Sequence, residues 1–368
     1  MTVPPAVPSG IPSTMRAAVL HGVGDVRVEE LPVPQVGEHQ VLVQVAAVGV
    51  CGSDVHYHRE GRIADFVVEE PMILGHEASG QIVAVGAEVP QARIGQRVSL
   101  EPQHPCRRCE FCRTGRYNLC PHMEFYATPP IHGAFSEYAV IDADLAHPVP
   151  DSMTWEAAAL CEPLSVGVWA CSKARIGVGS TVLVTGAGPI GLIIAQTARA
   201  LGASRVVLSD PAPERRAAAE EAGFTEVLDP AAGSSGGASA GLPADPSADQ
   251  SAEEFDAFLD ASGAEPAVQA GIRAVRPGGR VVLVGMGADD MTLPVSRILT
   301  REIELTGVFR YANTWPTAIQ LAASGKVDLD DLVTARFGLD GVEEALNEAT
   351  RPEHRKVLVL PSSLLTAP

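Results

Sequence analysis

Thr181-Val182-Leu183-Val184-Thr185-Gly186-Ala187-Gly188-Pro189-Ile190-Gly191 reads TVLVTGAGPIG. A β-branched run, three glycines spaced G-x-G-x-x-G and the apolar stretch Leu192–Leu201 predict a strand, a tight turn and a helix. In that order the glycines have a mechanism. They let the backbone turn sharply and approach a pyrophosphate, whose charge the helix N-terminus attracts. Asp210 closes the next predicted strand, Arg205–Ser209, nineteen residues after Gly191. It would accept hydrogen bonds from an adenosine ribose and repel a 2′-phosphate. Gly186, Gly188, Pro189, Ile190, Gly191 and Asp210 therefore predict NAD rather than NADP. The plainer reading of Asp210 is a turn cap ahead of Pro211. Arg215 and Arg216 stand nearby, and an arginine there can receive a phosphate.

The elements that follow extend the pattern. A helix over Glu214–Ala222 and strands at Glu226–Leu228, Ala257–Asp260 and Val281–Val284 predict a parallel, doubly wound sheet, hence an α/β class. The stretch GSSGGASAGLPADPSADQSA, residues 233–252, is of low complexity and cannot bury a core face, so it is expected to be a surface insertion. Upstream, short β runs at Arg16–Leu20, Gln40–Val48, Ser79–Val85 and Gln96–Leu100 predict a compact β barrel or sandwich. There Val41, Val43 and Val45 alternate with Leu42 and Gln44 as in a half-buried strand. Downstream, from about Tyr311, the pattern is mixed and ends in a helix at Val342–Ala349 and a strand at Lys356–Leu360.

Composition narrows the partners. At 368 residues the chain suggests two domains, and 46% apolar content supports full cores. A net charge of −18 and a pI near 4.9 argue against nucleic acid or an anionic membrane, which call for basic surface. The first fourteen residues lack lysine, arginine and a sustained apolar run, so no secretory signal is expected. The uncharged run from Ile176 to Ala198 is long enough to span a membrane, but its glycines and proline make a buried strand-turn-helix the better reading. The expected compartment is cytoplasmic.

Four of the seven cysteines, Cys106, Cys109, Cys112 and Cys120, fall within fifteen residues as C-x2-C-x2-C-x7-C. Such a cluster can surround one tetrahedral zinc without distant help. A disulfide framework suits small secreted chains with cysteines spread along them, so the metal reading is favoured. Arg107, Arg108, Arg113 and Arg116 would help keep the thiols ionised. Cys51-Gly52-Ser53-Asp54 and Gly75-His76-Glu77 offer a second metal set. Taken singly, Cys51 reads as a small buried hydrophobe and His76 as a core histidine.

These stretches together resemble the zinc-dependent medium-chain dehydrogenase/reductase family, in its sorbitol (polyol, xylitol) dehydrogenase branch. The resemblance is carried by CGSDVHY, GRIADFVVEEPMILGHEASG, CRTGRYNLC, FYATPP, EPLSVG, GAGPIGL and GVFRYANTWP, spread over nearly the whole chain. It implies a lead-in over 1–14, a GroES-like catalytic domain, rich in β structure, over 15–165 and 309–368, and a Rossmann nucleotide-binding domain over 166–308 that carries the 233–252 insertion. It implies NAD and two zinc ions per subunit, with Cys51, His76 and Glu77 on a catalytic zinc. Glu162 would lie beside that metal, directly or through water, and Cys161 would be buried and inert. The cysteine cluster would hold a structural zinc. Tyr57, Phe125, Thr128, Glu162, Arg310 and Tyr311 would line a polyol pocket, although Tyr57 and Phe125 also suit a core and Arg310 a surface. Val284, Gly285, Met286, Val308, Phe309 and Arg310 would approach the cofactor, as would Arg215. His58 stands where the branch often has tryptophan.

The implied reaction is reversible oxidation of a secondary hydroxyl to a ketone, with Ser53, His56 or Glu162 passing the proton to solvent. A homotetramer or homodimer is implied as well. The rivals are a zinc dehydrogenase of threonine, a simple alcohol or another polyol, and, in a different class, a non-enzymatic NAD- and zinc-binding protein.

Overall fold

The computed structural model describes residues 10–231 and 254–362, so most of the lead-in and the 233–252 stretch lie outside the described residues. The chain divides into two compact units, residues 1–162 with 329–368, and residues 163–328. Residues 309–328, expected with the β-rich domain, lie in the second unit. They carry the helix Trp315–Ala323, which buries Trp315, Ala318 and Leu321.

The first unit is built on a seven-stranded sheet. Its order is Ala146–Pro148, Arg97–Leu100, Glu77–Val85, Gln40–Gly49, Lys356–Leu360 and Val333–Gly338, with Tyr138–Asp142 also paired to Gln40–Gly49. A smaller sheet pairs Thr14–Gly22 with Asp25–Pro32 and Met72–Ile73. Gln40–Gly49 differs from the expected half-buried strand. Val41, Leu42, Val43 and Val45 are all buried, because this strand is paired along both edges and covered on both faces. The C-terminal strand closes against it, Leu358 opposite Gly49 and Val359 opposite Val48. Gly49 also faces Glu77 on the other side. Residues far apart in sequence thus meet at Gly49.

The second unit holds a six-stranded, all-parallel sheet in the order Val227–Leu228, Arg205–Ser209, Thr181–Thr185, Phe255–Asp260, Val275–Leu283 and Glu304–Gly307. The strand order extends to both sides of Thr181–Thr185, the topology of a doubly wound sheet with a crevice at the strands' carboxyl ends. Pro189–Ala200 covers it with Leu192, Ile193, Ile194 and Ala195 buried. Proline at the first helical position suits this start, since its missing N–H has no helical partner there.

Candidate active site and metal centres

The first metal set is assembled by backbone. Cys51 precedes the helix Gly52–Glu60, and after a turn at Gly75, His76 leads into the strand Glu77–Val85, which Glu77 begins. Asp54 joins the two segments. Its fully buried carboxylate accepts the Cys51 N–H at 2.9 Å and the Gly75 N–H at 3.0 Å. One oxygen also stands 3.8 Å from His76 Nδ1. Gly75 adopts φ +87°, and a Cβ there would lie 2.7 Å from the Phe135 ring, so only glycine makes this turn.

The ligand atoms of Cys51, His76 and Glu77 all lie within 4.8 Å of one another. Glu77 Oε1 accepts a hydrogen bond of 2.6 Å from Lys356 Nζ, while the buried Oε2 has no hydrogen-bond partner. Burial works against a charged His76, yet Cys51, Asp54 and Glu162 outweigh it and raise the ring's pKa to about 10. That much negative charge around one imidazole, with an orphaned carboxylate oxygen beside it, is a donor set made for a divalent cation. One thiolate, one imidazole and one carboxylate suit zinc with an open position. Lys356, fully enclosed, would lose its proton more readily through burial alone. The charges of Glu77, Cys51 and Glu162 reverse that and raise its pKa.

Glu162 is buried at the start of the helix Cys161–Lys173, and its charge acts on His76 and Lys356. It is not one of the three residues whose ligand atoms converge. Cys161 is fully buried, its thiol pushed up to about 12 by burial. Ser53 is half-buried and His56 is exposed, its Nδ1 3.3 Å from Glu60.

The second set is local. Cys106, Cys109, Cys112 and Cys120 also bring their sulfurs within 4.8 Å of one another, and all seven cysteines are free of disulfides. Backbone N–H groups of Cys106 and His122 point at Cys120 Sγ, and that of Cys112 at Cys109 Sγ, each at 3.4 Å. Backbone N–H groups of Arg108 and Cys109 lower the Cys106 thiol to about 6. One of the four arginines expected to keep these thiols ionised is engaged elsewhere. Arg107 is turned to Asp142 and Asp144, at 2.8 and 2.6 Å.

In the second unit each fingerprint glycine has its own reason. Gly186 has φ +87°, and a Cβ there would lie 3.0 Å from Ala261. A Cβ on Gly191 would lie 1.7 Å from the Gly186 carbonyl oxygen. At Gly188 a Cβ would meet no protein atom within 4 Å, so what that glycine leaves room for is a ligand. The turn fits a dinucleotide pyrophosphate at a helix N-terminus. Asp210 is buried and is the turn cap of its plainer reading. Its Oδ1 caps the turn through the Ala212 N–H, and its Oδ2 accepts the Ala187 N–H of the glycine turn, both at 2.8 Å. Arg215 lies 3.7 Å from the same oxygen, and Arg216 donates to the carbonyls of Asp210 and Pro211.

Comparison with known proteins follows the same division. Residues 37–151 match the alcohol dehydrogenase GroES-like domain, and residues 189–324 match the zinc-binding dehydrogenase domain. The chain is 40% identical to sorbitol dehydrogenase of Bacillus subtilis (strain 168), over 96% of this chain and 99% of that protein. It is 43% identical to sorbitol dehydrogenase of Arabidopsis thaliana, over 91% and 92%. Among solved structures it is similar to L-idonate 5-dehydrogenase of Escherichia coli, with a TM-score of 0.86 and 28% identity, over 95% of this chain and 98% of that one. The chain belongs to the zinc-dependent medium-chain dehydrogenases, in their sorbitol dehydrogenase-like branch. It is an oxidoreductase that uses zinc and NAD.

In this medium-chain dehydrogenase the expected pocket residues fall on both units. Tyr57 and Phe125 are buried in the first, the Phe125 ring centroid 5.5 Å from that of His76, and Thr128 is half-buried in the turn after Phe125. In the second, Arg310 lies over the Phe309 ring at 4.7 Å, and Tyr311 is wholly buried against Trp315. Val284 and Gly285 both donate their N–H to the Asp260 carbonyl, Val308 donates to that of Leu283, and Met286 is exposed.

Sequence reasoning missed three residues of this dehydrogenase. Asp54 was inside the quoted CGSD, and its place three residues after Cys51 is the capping-box signal. Lys356 had no local signal. Asp260 ends a central strand, as expected, but its carboxylate also accepts hydrogen bonds from Thr185 Oγ1, Ser262 Oγ and the Gly263 N–H, fixing the turn beside the glycines.

Proposed function

We propose that this dehydrogenase reversibly oxidises a secondary hydroxyl of a polyol of the sorbitol and xylitol class to a ketose, with hydride transfer to NAD. The observation that supports it most is the convergence of Cys51, His76 and Glu77, with an unpartnered Glu77 Oε2, in a chain so similar to named sorbitol dehydrogenases. Cys51, His76 and Glu77 would hold the catalytic zinc, with Glu162 beside it, and Cys106, Cys109, Cys112 and Cys120 a structural one. Zinc bound at the first set supplies a Lewis acid that eases loss of a hydroxyl proton.

The chain's own residues do the rest. Asp54 fixes Cys51 and the turn ahead of His76, so that two ligands from different elements share one geometry. Lys356 carries part of the charge of Glu77 and leaves Oε2 for the metal. Tyr57, Phe125, Thr128, Arg310 and Tyr311 would orient the polyol chain. The proton would leave through Ser53 and the exposed His56, or through Glu162. Gly186, Gly188, Pro189, Ile190 and Gly191 would cradle the pyrophosphate, Asp210 and Arg215 the adenosine ribose, and Val284 to Met286 and Val308 to Arg310 the rest of NAD. We further propose a cytoplasmic enzyme acting as a homodimer or homotetramer; the exposed Leu305 on the edge strand Glu304–Gly307 and Leu299 nearby are apolar surface a second copy could cover.

The test is a substrate panel of sorbitol, xylitol, arabinitols, galactitol, threonine and simple alcohols, each with NAD and NADP. Turnover of polyols with NAD at least tenfold above threonine and simple alcohols is expected; a preference for threonine or a simple alcohol overturns it.

A further inference from the structure

A cavity of about 460 Å³ opens on the first unit between the segments 65–72 and 129–132. Phe66, Met72 and the Pro129–Pro130 pair give it an apolar wall, and Asp65, Glu69 and Glu70 give it charge. All three carboxylates are on exposed residues, and neither lysine nor arginine is among the residues that line it. His132, its remaining polar residue, accepts the Ile73 N–H at Nδ1, and burial lowers its pKa. The cavity therefore carries three carboxyl groups and, among the residues that line it, no lysine or arginine.

The two segments that line it lie close along the chain to residues of the first metal set and the expected pocket. Met72 precedes His76 by four residues, and Pro129 follows Thr128. The two segments run side by side, Gly133 donating to the Ile73 carbonyl at 2.7 Å, Phe135 to Leu74 at 2.9 Å and Ala134 to Gly75 at 2.7 Å. Thr128 donates to the carbonyl of Phe125, whose ring stands against that of His76.

We propose that this cavity selects substrates by charge, admitting neutral polyols and discriminating against chains that carry a carboxylate or a phosphate. The proposal rests on the polyol reading above and names what decides among polyol-like substrates. The scaffold itself does not exclude an anion. L-Idonate, which the structurally similar dehydrogenase takes by name, is a carboxylate. Across a cavity of this size, three carboxylates in a water-like medium disfavour a monoanion by roughly tenfold, and a phosphate dianion by more. Salt must weaken the effect, because the charges are exposed and the screening length shortens with ionic strength.

The experiment compares kcat/KM for sorbitol, gluconate and sorbitol 6-phosphate with the zinc-loaded enzyme and NAD, at low and high salt. It uses the wild type and the D65N/E69Q/E70Q variant. Expected are a gluconate-to-sorbitol ratio about tenfold higher in the variant, a larger rise for the phosphate, and a wild-type ratio that climbs with salt. Sorbitol turnover with a ratio unmoved by the substitutions overturns the charge selection alone. Should the variant fail to fold, a wild-type ratio indifferent to salt overturns it equally. No turnover of any polyol overturns the activity on which the proposal rests, and the proposal with it.

Discussion

Glu77 and Lys356, 279 residues apart in sequence, form a buried ion pair with Oε1 and Nζ 2.6 Å apart. They can do so because Gly49 lies between their strands. A Cβ at position 49 would stand 1.9 Å from Glu77 Oε2 and 3.0 Å from Lys356 Cε. The pair is made by register, and it sits on a residue that would bind the catalytic metal.

Removing one partner of a buried pair costs roughly 3–5 kcal/mol, because it strands the other charge. Zinc offers Glu77 a second counter-charge. Lys356→Met should therefore destabilise the chelator-treated protein by about 3 kcal/mol in urea denaturation, and saturating zinc should recover more than half of that loss. Equal destabilisation with and without zinc would show that Lys356 and the metal do not share the Glu77 charge.

Cysteine substitutions separate the two metal sets. Cys51→Ser should remove one zinc per chain and abolish turnover, while the melting temperature and NAD binding stay near wild type. Cys109→Ser should remove the other zinc and chiefly lower stability, since closed zinc sites contribute folding free energy directly. Metal analysis beside thermal denaturation reads both. A Cys109 variant that binds one zinc per chain and melts normally counts against a structural site.

How far these features are legible in the sequence depends on how local they are. The glycine turn and the cysteine cluster are short, and their residue types have few other uses at that spacing, so both metal set and turn are readable. Lys356 is not, because its role depends on the register of Gln40–Gly49 against both Glu77–Val85 and Lys356–Leu360. The one hint was Gly49 itself, a glycine ending an apolar strand, which marks a close approach of backbone or side chain. The unit boundary was misplaced for a similar reason. Residues 309–328 follow the last strand predicted for the parallel sheet and show no period that assigns them to either unit. Their place in the second unit is set by tertiary packing.

Asp210 yields a prediction about cofactor choice. Its carboxylate is tied to the glycine turn through Ala187 and lies near Arg215. Asp210→Ala removes the charge that repels a 2′-phosphate and leaves Arg215 available to attract one. The ratio of kcat/KM for NADP to that for NAD should rise at least tenfold, an energy of about 1.4 kcal/mol. Part of the change will be a loss with NAD, because the turn also loses its tie. An unchanged ratio would mean that selectivity lies elsewhere on the turn.

His58 lies on the helix Gly52–Glu60 that follows Cys51, buried, with neither ring nitrogen hydrogen-bonded. Burial lowers its pKa below the ordinary 6.5, and nearby Arg59 lowers it further, while Glu343 opposes them less strongly than burial acts. The folded protein thus holds the neutral ring, whereas the unfolded chain takes up the proton at about 6.5. Stability from this group is complete above that value and is lost as pH falls from there towards the lower folded pKa. An orphaned polar pair also costs roughly 1–3 kcal/mol at any pH. His58→Leu should therefore be more stable than wild type by about 1 kcal/mol at pH 7.5, and the gap should widen between pH 6.5 and 5. Urea denaturation at a series of pH values checks both parts. A gap that narrows on acidification would show that Glu343 or another acceptor stabilises the charged ring.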